Sequence, residues 1–200
     1  AGGLWDKYPV EQVATPEGYA RNPELVINFY NERRKQLLEV RPNDGHLGLA
    51  ELEADFNVTV VTQNIDNLHE RAGSRRIIHL HGELTKVCSS RDPYNPHYIK
   101  ELKPDEYEVK FGDKAGDGTQ LRPFIVWFGE PVPEIETAVN YVEKADIFVI
   151  IGTSMNVYPA AGLLNYVPRE AEVYLIDPKP VDVHLSLIHI SEPTRPEPIS

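Results

Sequence analysis

The 200-residue sequence contains a single cysteine, Cys88, with one methionine and two tryptophans. One thiol cannot close an internal disulfide, so a cystine framework is excluded and a reducing compartment is expected. Positive charge is also short. Lys plus Arg number 20 against 31 Asp plus Glu, a formal charge of −11. That excess argues against a protein whose main task is gripping nucleic-acid phosphates or an anionic membrane surface. Long hydrophobic runs are missing as well; a stretch such as Ile147 to Ile151 falls far below the roughly 20 residues that span a bilayer. No charged-then-apolar leader pattern opens the chain, which makes the cytoplasm the expected location.

What is present is the composition of a globular protein, 41% hydrophobic and 26% charged. The length suits one ordinary domain, or a larger domain with a small insertion. Both ends read unlike a finished protein. Ala1-Gly2-Gly3-Leu4-Trp5 begins in mid-phrase, as if a preceding segment had been cut away. Residues 185–200 lose all periodicity after Leu185 and resemble either translated adapter read-through in a gene model or a proline-broken tail. They are expected to be non-native and are set aside from the fold.

Between these ends, apolar periodicity predicts a helix over Asn22 to Glu39, with Pro23 in its first turn and Pro42 beyond its end, then a shorter helix over His46 to Ala54. Val58 to Thr62 is β-branched and reads as a buried strand, Asn64 to Ala72 as a helix closed by Gly73, and Arg76 to Leu80 as a second strand. From Thr85 to Arg122 the texture turns to Pro, Asn, Asp, Gly, Lys and Tyr, the mark of an inserted subdomain. Phe124 to Trp127 resumes as strand, Glu134 to Lys144 as helix, Ile147 to Ile151 as an apolar strand, Pro159 to Tyr166 as helix and Val173 to Ile176 as the last strand. Apolar strands alternating with helices imply a parallel sheet covered on both faces.

Ligands collect at the carboxyl ends of such strands. Three strands end in polar or small residues: Thr62-Gln63-Asn64-Ile65-Asp66, Gly152-Thr153-Ser154 and Asp177-Pro178. Together they suggest a nucleotide crevice, although ordinary turn and cap chemistry uses the same residues. His79 and His81 flank Leu80, so alternation aims both imidazoles at one face; His81, next to Gly82 at the strand's exit, is placed to act as a general base. His79 is the better candidate for a satisfied core histidine, and the glycine beside His81 implies that something approaches closely there. A metal reading would recruit Cys88 and His97, but the sequence has no CxxC pair to support it. Tyr30 and Arg33 share a helix face at i, i+3. They are either part of a solvated face with Arg34 and Lys35, or a phenol and guanidinium converging on a carboxylate.

Several stretches are more specific. Thr62-Gln63-Asn64-Ile65-Asp66-Asn67-Leu68-His69-Glu70-Arg71-Ala72-Gly73 resembles the signature of the sirtuins, NAD-dependent protein-lysine deacylases. His79-Leu80-His81-Gly82-Glu83-Leu84, Arg122-Pro123 with Val126-Trp127-Phe128-Gly129-Glu130, and Gly152-Thr153-Ser154 follow in the family's order. Phe29-Tyr30-Asn31-Glu32-Arg33-Arg34 is similar to the bacterial class that also removes acidic acyl groups. The resemblance covers residues 2–184 and implies an α/β fold: a Rossmann-like parallel sheet with helices on both faces, plus a small subdomain over residues 85–122. It further implies that the family's N-terminal strand and Gly-rich loop are missing before Ala1.

Residue by residue, the resemblance makes His81 the catalytic base. It gives Gln63, Asn64, Ile65 and Asp66 to the nicotinamide end of NAD, Gly152, Thr153 and Ser154 to the rest of the dinucleotide, and Asp177 to the adenosine ribose. Val126, Trp127, Phe128, Gly129 and Glu130 would pair with the substrate backbone as an added strand. Tyr30 and Arg33 would read a succinyl or malonyl carboxylate. Products would be nicotinamide, O-acyl-ADP-ribose and free lysine, from acylated lysines of proteins. Relatives carry two cysteine pairs around a zinc; Cys88 alone, followed by Ser89 and Ser90, implies no structural zinc here. The competing readings are a mono-ADP-ribosyltransferase using the same crevice, and a peptide-binding remnant without catalysis or an inactive piece of the enzyme.

Overall fold

The computed structural model describes residues 8–152, 160–177 and 189–190. The chain divides into two compact units, Ala1–Pro133 and Glu134–Ser200.

The first unit opens with two short helices, α1 (Val10–Val13) and α2 (Pro16–Arg21), followed by the long α3 (Pro23–Glu39). Each of the last two starts where the sequence supplies a cap and a proline. Thr15 Oγ1 accepts from Gly18 N, and Asn22 Oδ1 accepts from Leu25 N. α3 buries one broad stripe, Val26, Ile27, Phe29, Tyr30, Asn31, Arg34 and Leu37. Its apolar members meet Val13, Leu84, Ile125 and Trp127 in the main core, while Ile27 packs with Val87 and Val109 in a second cluster. The expected solvated run Arg33-Arg34-Lys35 is therefore interrupted, because Arg34 turns inward. Its guanidinium donates to the carbonyls of Tyr107 and Leu84 and to Asn31 Oδ1, and Asn31 in turn exchanges two bonds with the backbone of Val109.

After α4 (Asp44–Glu51) and a 3-10 turn over Leu52–Ala54, strand β1 (Val60–Thr62) leads through α5 (Leu68–Ala72) to β2 (Ile77–His79), which runs parallel to β1 with Thr62 opposite His79. The helix expected from Asn64 starts only at Leu68. Thr62 Oγ1 takes the N–H of Asn64, and Asp66 Oδ1 takes that of Leu68, so side chains hold the intervening segment as a loop. Gly73 ends α5 in the left-handed region at φ 104°.

Residues 82–125 form an antiparallel sheet, β3 (Gly82–Ser89), β4 (Lys100–Glu101) and β5 (Leu121–Ile125), in the order β4-β3-β5. The expected subdomain is thus built on strands that cross both of its predicted edges. The strand expected over Phe124 to Trp127 lies earlier, because beyond Ile125 the chain leaves the ladder: Val126 N donates to His81 O and Trp127 N to Glu130 Oε2. Gly82, at φ 82°, lies against β5, where a Cβ would sit 2.1 Å from the Phe124 carbonyl oxygen. The close approach implied by this glycine is that of the neighbouring strand.

The second unit carries α6 (Ile135–Val142), β6 (Ile147–Ile151), a 3-10 segment (Ala160–Tyr166) and β7 (Glu172–Ile176). β6 and β7 are parallel and in full register from Ile147↔Glu172 to Ile151↔Ile176. A two-residue strand, β8 (His189–Ile190), lies inside the segment set aside from the fold and pairs with Tyr174 and Leu175. Ala138, Val142, Ile150, Leu163 and Leu175 are buried, while Ile147, Val149 and Ile151 are 43–48% exposed, so one side of β6 stays open among the described residues. No helix among them is long and apolar enough to cross a membrane.

Candidate functional site

In the first unit the site grows from the carboxyl ends of β1 and β2. The backbone N–H of Leu80 donates to Thr62 O, carrying the ladder one residue past the strands, and the chain then turns at His81. His81 is half-buried. Its Nδ1 lies 3.1 Å from the carbonyl oxygen of Gln63. A carbonyl only accepts, so Nδ1 carries the proton and Nε2 keeps its lone pair. Burial lowers the imidazole's pKa below the ordinary value, a shift the Gln63 bond only partly offsets. At neutral pH the side chain is therefore an uncharged base with a fixed tautomer.

The backbone of His81 does a second job. Its carbonyl accepts from Val126 N at 3.0 Å, which seats the Val126–Glu130 segment beside the imidazole. That segment is held from behind. Arg122 meets Glu130 through two parallel bonds of 2.8 and 2.9 Å, donates to Ile125 O, and stacks over Trp127 at 3.6 Å. Burial alone would depress the guanidinium's pKa; Glu130 more than reverses this and raises it. Glu130 is thus occupied by Arg122 and by Trp127 N, and Trp127 is buried, whereas Phe128 stands 64% exposed beside Gly129 at φ 89°.

Tyr30 joins the same group from α3. Its hydroxyl accepts from Trp127 Nε1 at 3.1 Å, the residue is 1% exposed, and burial pushes the phenol up to about 12. One helical turn on, Arg33 packs against the Phe29 ring and is lowered by burial, with Tyr30 and Asp66 pulling it back. Asp66 and Asn64 belong to the β1-exit loop, which is further fixed by Leu84 N donating to Ile65 O at 2.7 Å. The residues expected from the sequence at His81, Gln63–Asp66, Tyr30, Arg33 and Val126–Glu130 therefore form one connected constellation. Asn31 and Arg34, which anchor its helix, were missed by sequence reasoning. Their signal was the i, i+4, i+7 spacing from Ile27, which continues the apolar stripe with polar residues.

The remaining expected residues lie in the second unit. Gly152, at φ 57°, donates its N–H to Ile176 O, so Gly152 and Asp177 stand together at the carboxyl ends of β6 and β7. Thr153 and Ser154 fall outside the described residues. The chemistry in each unit suits part of a dinucleotide. In the first, the amides of Gln63 and Asn64 and the carboxylate of Asp66 suit a carboxamide and ribose hydroxyls; in the second, the Asp177 carboxylate suits ribose hydroxyls and a side-chain-free turn at Gly152 suits close backbone approach.

The surroundings of Cys88 suit a metal poorly. The thiol is fully buried, aims at Pro123 O, and is pushed up to about 12 by burial, so it stays protonated. Ser89 beside it is 0% exposed, and its hydroxyl contacts Asp117, Thr119 and the N–H groups of Arg91 and Asp92. His97 is exposed on a separate 3-10 turn.

The sequence model of the Sir2 family matches residues 1–159. An NAD-dependent protein deacylase of Bacteroides thetaiotaomicron is 86% identical over 191 residues, covering 95% of this chain and 82% of the relative. Among solved structures, a Sir2 homolog in complex with NAD is similar at a TM-score of 0.80 and 36% identity, covering 95% of this chain and 74% of its own. A Sir2 bound to acetylated peptide follows at 0.74 and 27%, over 92% and 79%.

Proposed function

We propose, from the premise that this chain belongs to the Sir2 family, that it is an NAD-dependent protein-lysine deacylase. Relatives of this family carry that activity in their names, and solved neighbours hold NAD and an acetylated peptide. The observation that carries the reading is His81. Its free lone pair, fixed tautomer and lowered pKa stand where the β1-exit loop and the Val126–Glu130 segment meet.

NAD supplies the ADP-ribose that accepts the acyl group, with nicotinamide as the leaving group. The chain's own residues do the rest. Gln63, Asn64, Ile65 and Asp66 hold the nicotinamide end, and Gly152 and Asp177, with Thr153 and Ser154, hold the remainder. His81 Nε2 removes a proton from a ribose hydroxyl, and Gln63 O steadies the imidazolium that results. The Val126–Glu130 segment offers backbone groups to an extended acyl-lysine peptide, with Phe128 along its side and Arg122 bracing it. Arg33, a partly desolvated guanidinium, binds the free carboxylate of a succinyl or malonyl group, and Tyr30 completes that end. The donor set at Cys88 implies that the antiparallel sheet closes without zinc. A cytoplasmic location rests on the sole, reduced thiol.

The test is an acyl-lysine peptide incubated with NAD and the full-length protein. Deacylated peptide and nicotinamide should form in equal amounts. Nicotinamide release with the peptide's acyl group retained would replace this reading with ADP-ribosyl transfer.

A further inference from the structure

The other histidine on the same strand end has a different set of partners. His79 is buried, with Nδ1 3.1 Å from the carbonyl oxygen of Asn64 and Nε2 2.7 Å from Glu70 Oε1. A carbonyl can only accept. So can an ionised carboxylate, and Glu70 is held in that form: burial would raise its pKa, but the His79 bonds bring it below the usual value. Both ring nitrogens must therefore donate at once, and an imidazole does so only when doubly protonated. The adjacent carbonyls of Gln63 and Asn64 are thus each gripped by a histidine, one neutral and one cationic.

We propose that His79 is a positioning residue whose charged form, held by Glu70, fixes the Asn64 carbonyl and so keeps the Gln63–Asp66 loop in its NAD-binding shape. The inference rests on the NAD reading of that loop given above. When His79 loses a proton, one of its nitrogens presents a lone pair to an acceptor, and either the Asn64 or the Glu70 contact must open. The loop then loses a fixed peptide orientation where the cofactor's nicotinamide end is to be read.

The charged surroundings agree. Burial works against the imidazolium, but Glu70 and the Asn64 carbonyl outweigh it, with Glu83 of β3 adding to them, and the pKa of His79 is raised. Glu83 is itself paired with Lys86 at 2.6 Å. On α5, His69 also faces His79; it is lowered, first by burial and then by its ring neighbour His46, and so is neutral where His79 is charged. A histidine raised above the ordinary value of about 6.5 holds its proton fully below that value and loses it as pH climbs through the higher native one. Loop order should follow the same course, so NAD affinity falls on the alkaline side. His81, shifted the opposite way, governs only the acid side of turnover.

Two measurements on the full-length protein test this. Histidine ring NMR follows the protonation of His79 directly, and calorimetry follows NAD affinity against pH. The variant is Glu70→Gln, whose side chain is partly exposed and keeps its length. In the wild type, the His79 titration and the alkaline loss of NAD affinity should share a midpoint. In E70Q that midpoint should fall by about one pH unit or more, the scale of a lost opposite charge at contact distance, while the acid limb of turnover stays put. A His79 that is neutral across pH 6–7, an NAD affinity that ignores its titration, or acid and alkaline limbs that move together would each overturn the proposal. Zinc ions that displace the His79 protons at neutral pH would also overturn it, in favour of a cation site at Glu70, His79 and Glu83, whose ligand atoms lie within 4.8 Å of one another. Failure of the deacylase reading looks different: the wild type would bind no NAD at any pH, while the His79 titration would still report the Glu70 pair.

Discussion

Around the antiparallel sheet, Arg122 meets Glu130 through two bonds and the Ser89 hydroxyl gathers four partners, whereas at the β1–β2 exit the pKa values of two histidines of one strand end are pushed opposite ways, His79 up and His81 down. In the first region the buried polar side chains satisfy one another, Arg122 with Glu130 and Ser89 with its neighbours. In the second, His81 is given one partner and keeps a lone pair. Burial of polar groups therefore means different things a few residues apart. It builds a brace where the network closes on itself, and a reagent where it stops one bond short.

The sharpest way to break that contrast is His81→Ala. Turnover of acyl-lysine peptide should fall by about 10²–10⁴-fold, the usual contribution of a general base, with the thermal midpoint and NAD affinity little changed. In the wild type, because His81 is lowered, the acid limb of turnover should lie below the ordinary histidine range, where the lone pair is lost. The opposite signature is expected on the brace. Arg122→Met leaves Glu130 buried without its cation and should cost about 3–5 kcal/mol, read as a lower urea midpoint with an unchanged m-value. The surviving folded fraction should show a raised KM for peptide, since Trp127 loses its stacked guanidinium. If R122M proved stable and H81A unfolded, the division of labour would be reversed.

The sequence made these two regions unequally legible. α3 declared itself through Asn22, Pro23 and an apolar stripe, and β1, β2 and β6 through β-branched runs, because local caps and periodicity decide those elements. The start of α5 was misjudged because Thr62 and Asp66 spend their side chains on the loop's own N–H groups, a choice that helical periodicity does not reveal. The small subdomain was the least readable part. Asn31 reaches Val109 and Arg34 reaches Tyr107, more than 70 residues apart, and such bonds leave no period in the chain. The candidate residues of the first unit could be placed together because strand ends are where ligands collect, yet only the structure shows Tyr30 as a buried support of Trp127 and Glu130 as the brace of Arg122.

A smaller effect separates the two faces of α3. Arg34 is a clamp with carbonyl partners, while Arg33 is the residue proposed above to meet an acyl carboxylate. Arg33→Met should reduce removal of succinyl-lysine by about 10–100-fold, the value of one charged hydrogen-bonded contact, and touch acetyl-lysine removal much less. Equal losses on both peptides would place Arg33 with Arg34, as part of the helix's anchoring.

The smallest expected change probes whether the antiparallel sheet is closed by hydrogen bonds. Ser89→Ala removes the hydroxyl that Asp117 and Thr119 share with the N–H groups of Arg91 and Asp92, leaving those part-buried donors without this acceptor. That should cost about 1–3 kcal/mol. The same network holds Asp117 down to about 2, through its bonds to Ser89 and Thr119. A carboxyl depressed in the native state adds stability above its ordinary value of about 3.9 and loses that contribution as pH falls through the native one. The wild type should therefore weaken between about pH 4 and pH 2 by more than S89A does, because the variant has already lost the Ser89 bond that helps hold the Asp117 carboxyl down. A chelator should leave the midpoint of both proteins where it was, since one protonated thiol among saturated hydroxyls gives a metal nothing to hold. A midpoint that drops on chelation would show that the turn at Ser89 depends on an ion, and would move this region from the closed side of the comparison to the open one.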